Sequence, residues 1–418
     1  MDDTQPDRRE SGFKERTRVD RARDRLREAV PSVGSETVPL ADADGRVLAS
    51  TVAADRNVPH YRRAAMDGYA VRAADTFGAS DRSPEVLLTS EGGDEAGGPG
   101  SGREVGPSEA ARVHTGSEVP PGADAVVMVE DVERVRDEIE VFDAVAAGEN
   151  VAPVGEDVEA DQTLYEPGYR LRPSDLGLLK SVGVTEVEVV ERPQVAVIPT
   201  GEELVQADPD PGEVIETNGL TVSRLVRRWG GEATYREVVT DDADALRDAI
   251  ERDLAHDVVV TTGGSSVGER DLLPEVLADL GEVLVHGVAL KPGHPVALAV
   301  VGETPVLALP GYPVACIVNA VQFLRPTLSW LAGTGPPTHP TVRATLARKI
   351  HSDPGTRTFA RVKLDREGEE WTATPTRASG SGVLSSVALA DGWVVVPESL
   401  EGLSDGEPVE VQDWEPSA

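Results

Sequence analysis

Hydrophobic and polar positions follow two different periods along the chain, and the change of period divides it. From about residue 194 onward, short wholly apolar runs alternate with longer amphipathic stretches. The runs Val195-Ala196-Val197-Ile198 and Val258-Val259-Val260 are too short and too uniformly apolar to be surface helices, and they predict buried strands. Amphipathic spacing predicts helices over 220–229, 243–254 and 272–280, with Thr217-Asn218-Gly219 as a cap and a strand over 234–239 between the first two. This β-α-β-α-β order predicts a parallel or mixed sheet with right-handed crossovers. A helix over 314–331 closes the unit, and a Gly/Pro/Thr stretch at 336–340 reads as a linker.

The first half reads differently. A charged amphipathic pattern predicts a helix over 16–29, stopped by Pro31. Short strand patterns separated by Gly and Pro turns occupy 84–131, interrupted by a Gly-, Ser- and acid-rich loop over 90–106. A helix over 173–182, with Ser174 as its N-cap, ends at Gly183. The expected fold class is multidomain α/β plus β. Residues 1–14 are expected to be disordered, and 15–54 with 151–190 to form a connecting subdomain. A β-rich insertion covers 55–150, the α/β domain 191–333, and a small C-terminal β domain 340–418.

Charge narrows the function classes. The 418 residues carry 74 acidic against 40 basic groups, a net charge of −34. Nucleic-acid binding needs a basic footprint, and this chain has none. Only five cations are lysines, the rest being arginines. An acidic, lysine-poor surface suits concentrated salt, so the composition reads as that of a halophile's cytoplasmic protein. No apolar run reaches the roughly 18 residues that span a bilayer, and the N-terminus has no secretory h-region, so no membrane association is expected. The lone cysteine, Cys316, lies in an apolar run with no base nearby and reads as an inert buried thiol.

Candidate chemistry collects at the predicted strand ends. The run from Val258 finishes in Thr262-Gly263-Gly264-Ser265-Ser266-Val267-Gly268, glycines that let a backbone approach phosphate oxygens ahead of a helix N-terminus. It has neither a Walker lysine nor dinucleotide spacing, and a purely structural glycine turn is the alternative. Lys291, in Lys291-Pro292-Gly293-His294-Pro295, offers a compact point charge where this chain ordinarily uses arginine; its natural counterpart is an oxyanion. His294 adds a titratable donor. Glu202-Glu203, Asp241-Asp242 and Asp271 follow three different strands, and acids beside a phosphate invite Mg²⁺.

Seven ordered motifs carry a resemblance that spans nearly the whole chain. They are Ala65-Met66-Asp67-Gly68-Tyr69-Ala70-Val71; His114-Thr115-Gly116 followed by Pro121-Gly122-Ala123-Asp124; Gly155-Glu156-Asp157; and Thr200-Gly201-Glu202-Glu203-Leu204. The remainder are Thr262 to Gly268 with Asp271; Lys291-Pro292-Gly293; and Leu309-Pro310-Gly311. This text is similar to the molybdopterin molybdenumtransferase family, which includes MoeA and the gephyrin E domain. The resemblance implies a four-domain homodimer whose site lies between the α/β domain of one subunit and the Met-Asp-Gly-Tyr region of the other. It implies that molybdate is inserted into adenylylated molybdopterin, with Mg²⁺ present and AMP released.

Carried over motif by motif, the resemblance makes Asp67, Asp157, Glu203, Asp241, Asp242, Asp271 and Lys291 the catalytic set. Asp271 and Asp242 would serve Mg²⁺. Gly263, Gly264 and Ser265 would hold nucleotide phosphates, with Gly311 at the neighbouring strand end. Ser266, Lys291, His294, Pro295, Arg361 and Ser381 would line the oxyanion pocket. Three positions depart from the family pattern: His294 stands in place of a second lysine, Tyr312 in place of Asn, and Glu202 in place of Asp. They leave tungstate open as a substrate. The competing readings are the pathway's pterin adenylyltransferase, which belongs to a single compact domain, and a non-catalytic gephyrin-like scaffold.

Overall fold

In a computed structural model of the protein, the structure describes residues 16–89, 104–263, 272–376 and 381–415. Residues 1–14, expected to be disordered, lie outside these, as do Gly264, Ser265, Ser266 and Asp271. The chain forms two compact units: residues 36–189 make one, and 1–35 with 190–418 make the other.

The larger unit begins with helix α1 (Val19–Ala29). Its apolar stripe, Val19, Ala22 and Leu26, is fully buried among strands and helices of the α/β domain. This corrects the sequence expectation, which grouped the helix with the connecting subdomain. The amphipathic spacing identified the buried face correctly but carried no information about what would cover it.

The smaller unit has two parts, the first with a buried apolar cluster on each face of its sheet. One is a six-stranded sheet of β1 (Gly68–Val71), β2 (Glu85–Thr89), β3 (Glu109–Val113), β4 (Ala125–Met128), β5 (Val132–Val135) and β6 (Glu138–Val141), in the order β4-β1-β3-β2-β6-β5. At Gly68 a Cβ would lie 1.9 Å from the Val127 carbonyl oxygen, so only glycine lets β1 lie against β4 here. The second part packs residues 38–54 against 158–189, including helix α2 (Pro173–Ser181). Arg172, not Ser174, caps that helix: Asp175 accepts the Arg172 backbone N–H at 2.8 Å and two guanidinium hydrogen bonds. Pro173 takes the first helical position, where its missing N–H costs nothing.

The α/β domain of the larger unit follows the alternation read from the sequence. Its elements are β7 (Gln194–Pro199), α3 (Asn218–Arg228), β8 (Glu232–Tyr235), α4 (Ala243–Arg252), β9 (Val258–Thr262), α5 (Leu273–Leu280), β10 (Glu282–His286), β11 (Leu290–Lys291), β12 (Ala297–Val301) and β13 (Thr304–Leu309). The sheet order is β8-β7-β9-β13-β12-β10. The first four strands pair in parallel; β12 and β10 add antiparallel. Every residue of central β9 is buried, as expected for a strand covered on both faces.

Helices α6 (Pro313–Asn319) and α7 (Arg325–Leu331) are one continuous helix joined by a π-turn over Ala320–Leu324. Pro326 explains the turn. It has no N–H to give to Gln322, four residues back. Arg23 of α1 takes that carbonyl instead, at 2.9 Å, and reaches the Gln322 side chain at 2.6 Å. The helix is long and apolar enough to cross a membrane, but 94% of its apolar window is buried within the protein. It is the spine of the larger core.

The C-terminal domain is a small closed sheet of β14 (Thr341–Leu346), β15 (Arg357–Glu367), β16 (Glu370–Pro375), β17 (Gly392–Val396) and β18 (Pro408–Gln412). Strand order is β15-β16-β14-β18-β17, closed by β15–β17 pairing, and β11 adds to the free side of β15. Closure removes the exposed edges of a short sheet. Leu26→Ala tests the placement of α1: it should lower the unfolding free energy of the larger unit by about 2–5 kcal/mol in a chemical denaturation curve. A change near zero would mean α1 contributes nothing to that core.

Candidate functional site

Parallel register brings three strand ends together. Pro199 pairs with Thr262, and Thr262 with Leu309, so Thr200-Gly201, Gly263 and Pro310-Gly311 leave the sheet side by side. Gly263 has φ +139°, and a Cβ there would sit 2.1 Å from the Thr200 carbonyl oxygen; no other residue fits. Its N–H donates to the Leu309 carbonyl at 3.1 Å. Asn218, at the start of α3, donates from Nδ2 to the Gly311 carbonyl at 2.6 Å. The buried Glu216 holds that corner from behind, accepting from the Gly219 N–H at 2.6 Å and from the Tyr235 hydroxyl. Neither Glu216 nor Asn218 was among the sequence candidates, because their role is to hold turns and not to present chemistry. Buried Thr200 and Thr262 have hydroxyls with no hydrogen-bond partner among the described residues.

The acids divide by task. Gly201 N–H donates to the Val239 carbonyl at 3.1 Å, which sets the 201–203 turn beside Asp241. Desolvation, then the charges of Glu203 and Glu202, push the Asp241 carboxyl up from its ordinary value. Asp242 is the N-cap of α4, accepting from the N–H groups of Asp244 and Ala245 at 3.1 and 3.0 Å. Asp242, which the resemblance assigns to a metal, thus caps a helix through one carboxylate oxygen, and Asp241 is the acid of the pair under charge repulsion. Among the described residues no three acids, histidines or cysteines converge as a metal site. Asp271, the other expected ligand, lies outside them.

Lys291 is placed from two sides. Strand β11 pairs in parallel with β15, Lys291 opposite Thr358. Next to it, Gly293 has φ +108° with no room for a Cβ, because the buried Asn319 amide donates to the Gly293 and Ala315 carbonyls at 2.9 and 2.8 Å. Lys291 Nζ donates to Asp353 Oδ2 at 3.0 Å. His294 and Pro295 are half-buried. Burial, with Arg16 nearby, holds the His294 imidazole below its ordinary pKa, so it remains neutral at pH 7 and leaves the fixed positive charge to Lys291.

The Ser381 carbonyl accepts the Val314 N–H at 3.0 Å, beside the Gly311-Tyr312-Pro313 turn. Strand alternation sets Arg361 on the face of β15 opposite Thr358, the register partner of Lys291. Burial lowers the Arg361 pKa. Cys316 is buried, its thiol pushed far from ionisation by desolvation.

Asp67 and Asp157 belong to the smaller unit. Asp67 opens β1 and accepts from Thr115 twice, from its N–H at 2.6 Å and its hydroxyl at 2.8 Å. These two bonds hold its carboxyl below the ordinary range. The Asp157 N–H donates to the Val58 carbonyl at 2.9 Å, and its side chain is exposed.

An α/β domain with glycine turns at its parallel strand ends, a lysine fixed where that domain pairs with the C-terminal sheet, and an acid crowded by others is an arrangement suited to an enzyme that handles anionic substrates at a sheet edge. Three family profiles cover the chain: "MoeA N-terminal region (domain I and II)" over residues 17–183, "Probable molybdopterin binding domain" over 196–330, and "MoeA C-terminal region (domain IV)" over 343–414. A molybdopterin molybdenumtransferase of Bacillus subtilis is 33% identical over 90% of this chain and 89% of its own. One of Staphylococcus aureus is 31% identical over 91% of each. A crystal structure of the molybdopterin biosynthesis moea protein from Pyrococcus horikosii is 36% identical, covers 96% of this chain and 100% of its own, and has a TM-score of 0.83. The chain belongs to the molybdopterin molybdenumtransferase family, enzymes of molybdenum cofactor biosynthesis.

Glu203→Gln removes the larger of the two neighbouring charge effects on Asp241. The Asp241 carboxyl should then titrate closer to its ordinary 3.8, read by carboxyl-carbon NMR. An unmoved titration would mean the two acids do not share this edge.

Proposed function

We propose that the protein inserts molybdate into adenylylated molybdopterin, with Mg²⁺ present and AMP released. The observation that carries this reading is the side-by-side exit of Thr200-Gly201, Gly263 and Gly311 from one parallel sheet edge, together with Lys291 held in place on strand β11 by its pairing with β15. Backbone at glycine turns suits phosphate oxygens, and a compact ammonium suits a tetrahedral dianion.

On this reading the strand-end glycines, continuing through Gly264 and Ser265, hold the nucleotide phosphates. Lys291 orients the oxyanion. Attack on the phosphoanhydride needs charge neutralisation more than a strong base. The donor chemistry fits a hard cation, because Asp241 sits beside the charges of Glu203 and Glu202; Asp241, with Asp271, would hold Mg²⁺, whose contribution would be to neutralise phosphate oxygens. Asp67, its carboxylate fixed by Thr115, supplies the remaining wall from the other subunit of a homodimer. The net charge of −34 supports a cytoplasm rich in salt.

Incubating the protein with adenylylated molybdopterin, Mg²⁺ and either molybdate or tungstate tests the reading. AMP should appear with at least one oxyanion; none with either would overturn it, and the faster of the two identifies the cargo. Lys291→Ala should raise the oxyanion concentration needed for half-maximal AMP release at least several-fold, with nucleotide affinity close to that of the parent. Equal loss of both would place Lys291 elsewhere.

A further inference from the structure

The partner of Lys291 carries an inference of its own. Lys291 Nζ and Asp353 Oδ2 are 3.0 Å apart, and the two residues are separated by 62 positions in sequence. Both side chains remain more than half exposed, 58% and 66%. Neither is locked by desolvation, so another anion can reach the ammonium from solvent and replace the carboxylate.

Both backbones are fixed. Lys291 is held by β11–β15 pairing and by the Asn319 amide behind Gly293. Asp353 starts a tight turn: Thr356 N–H donates to the Asp353 carbonyl at 3.1 Å, Pro354 and Gly355 fill the centre, and Gly355 has φ +76°. Proline followed by a positive-φ glycine is the residue pair that a type II turn requires. The turn is anchored on either side. Gly355 N–H donates to the Glu398 carbonyl at 3.1 Å, and the buried Ser352 hydroxyl donates to the Thr356 carbonyl at 3.1 Å and lies 2.7 Å from the Thr358 hydroxyl. Thr358 is the register partner of Lys291. One short stretch of β15 therefore positions both the cation and its carboxylate.

We propose that Asp353 is a built-in counter-ion that competes with the oxyanion for Lys291, and so sets the oxyanion concentration at which the site fills. The proposal rests on Lys291 being the oxyanion's cation, as argued above. A dianion outcompetes a single carboxylate for one ammonium because its charge is doubled, whereas common monoanions do not; the pair thus biases the site toward doubly charged tetrahedral ions. No covalent step is involved. The carboxylate leaves for water as the dianion arrives.

The test is Asp353→Asn, which keeps an acceptor for Lys291 and removes the charge. An exposed pair contributes about 0.2–1 kcal/mol, so the half-saturating molybdate or tungstate concentration should fall by about 1.4- to 5-fold. The maximal rate of AMP release should stay within error of the parent. The difference should shrink between 0.1 and 1 M KCl, as the screening length falls from about 10 to about 3 Å. Calorimetric titration of molybdate into the protein gives the same comparison without turnover. An unchanged or increased half-saturation in Asp353→Asn, alongside the expected loss in Lys291→Ala, would overturn the counter-ion role and leave the reading of Lys291 standing. An oxyanion requirement that Lys291→Ala also leaves unmoved would overturn both.

Discussion

The two-residue strand Leu290–Lys291 is the constraint on which the larger unit depends. It leaves the α/β domain, pairs with β15 of the C-terminal domain, and is continued by Arg357 N–H donating to the Ala289 carbonyl at 2.9 Å. The Arg357 side chain extends the seam to α1 through Asp20, at 2.9 and 2.8 Å, and within the C-terminal domain to Glu398, at 3.1 Å. The two ion pairs are unequal. Glu398 is 8% exposed and Arg357 17%, whereas Asp20 is 68% exposed. Removing one partner of a buried pair costs about 3–5 kcal/mol. An exposed pair is worth about 0.2–1 kcal/mol. Glu398 is therefore the partner that holds Arg357, and Asp20 is a tether on α1 whose apolar stripe supplies most of its docking energy.

That seam explains how a lysine at the end of a very short strand acquires a defined position. A two-residue strand has too few hydrogen bonds to hold itself. Lys291 keeps its place because the closed C-terminal sheet on one side and the Asn319 amide on the other leave its backbone no alternative. The electrostatics follow. His294 is held neutral by burial with Arg16 nearby, and the exposed ammonium of Lys291 is paired with Asp353. In a chain of charge −34 carboxylates far outnumber cations, and the partner that Lys291 has is an exposed one that leaves its ammonium within reach of solvent.

Much of the α/β domain was legible because fully buried strands and amphipathic helices leave periodic patterns of different length. Val258 to Val260 read as a covered strand, and the helix expected over 243–254, which ends at Arg252 in the structure, was marked by its apolar spacing. What the pattern could not tell was partnership. Helix α1 displayed its buried face but not the spine helix behind it, so it was grouped with the wrong neighbours. Caps were misread for a related reason: Ser174 has the right chemistry for a cap, yet Asp175 reaches back to Arg172 and does the capping from inside the helix. The capping role of Asp242 was not legible either, because an acid at a strand end looks the same in sequence whether it faces a cation or the first turn of a helix. Asp353 gave no signal at all, since its importance arises only from a pairing across 62 residues.

The strand-end glycines show why such a site is demanding to fold. At Gly263 the backbone lies so close to Thr200 that no side chain can enter, and at Gly293 the Asn319 amide occupies the space a Cβ would need. Each glycine gives up more backbone freedom on folding than alanine would, roughly 0.5–1 kcal/mol. The neighbouring elements offset that loss: the Asn218 amide fixes the Gly311 carbonyl, Glu216 fixes the start of α3, and the Leu309 carbonyl receives the Gly263 N–H. At Gly263, Gly311 and the α3 corner the backbone is therefore set before any ligand arrives. Ordering that would otherwise be charged against binding has already occurred during folding. The same logic accounts for Glu216, a carboxylate buried away from any substrate surface: it is saturated by a backbone N–H and a phenol, and its function is to keep the α3 corner from moving when charge enters the edge in front of it.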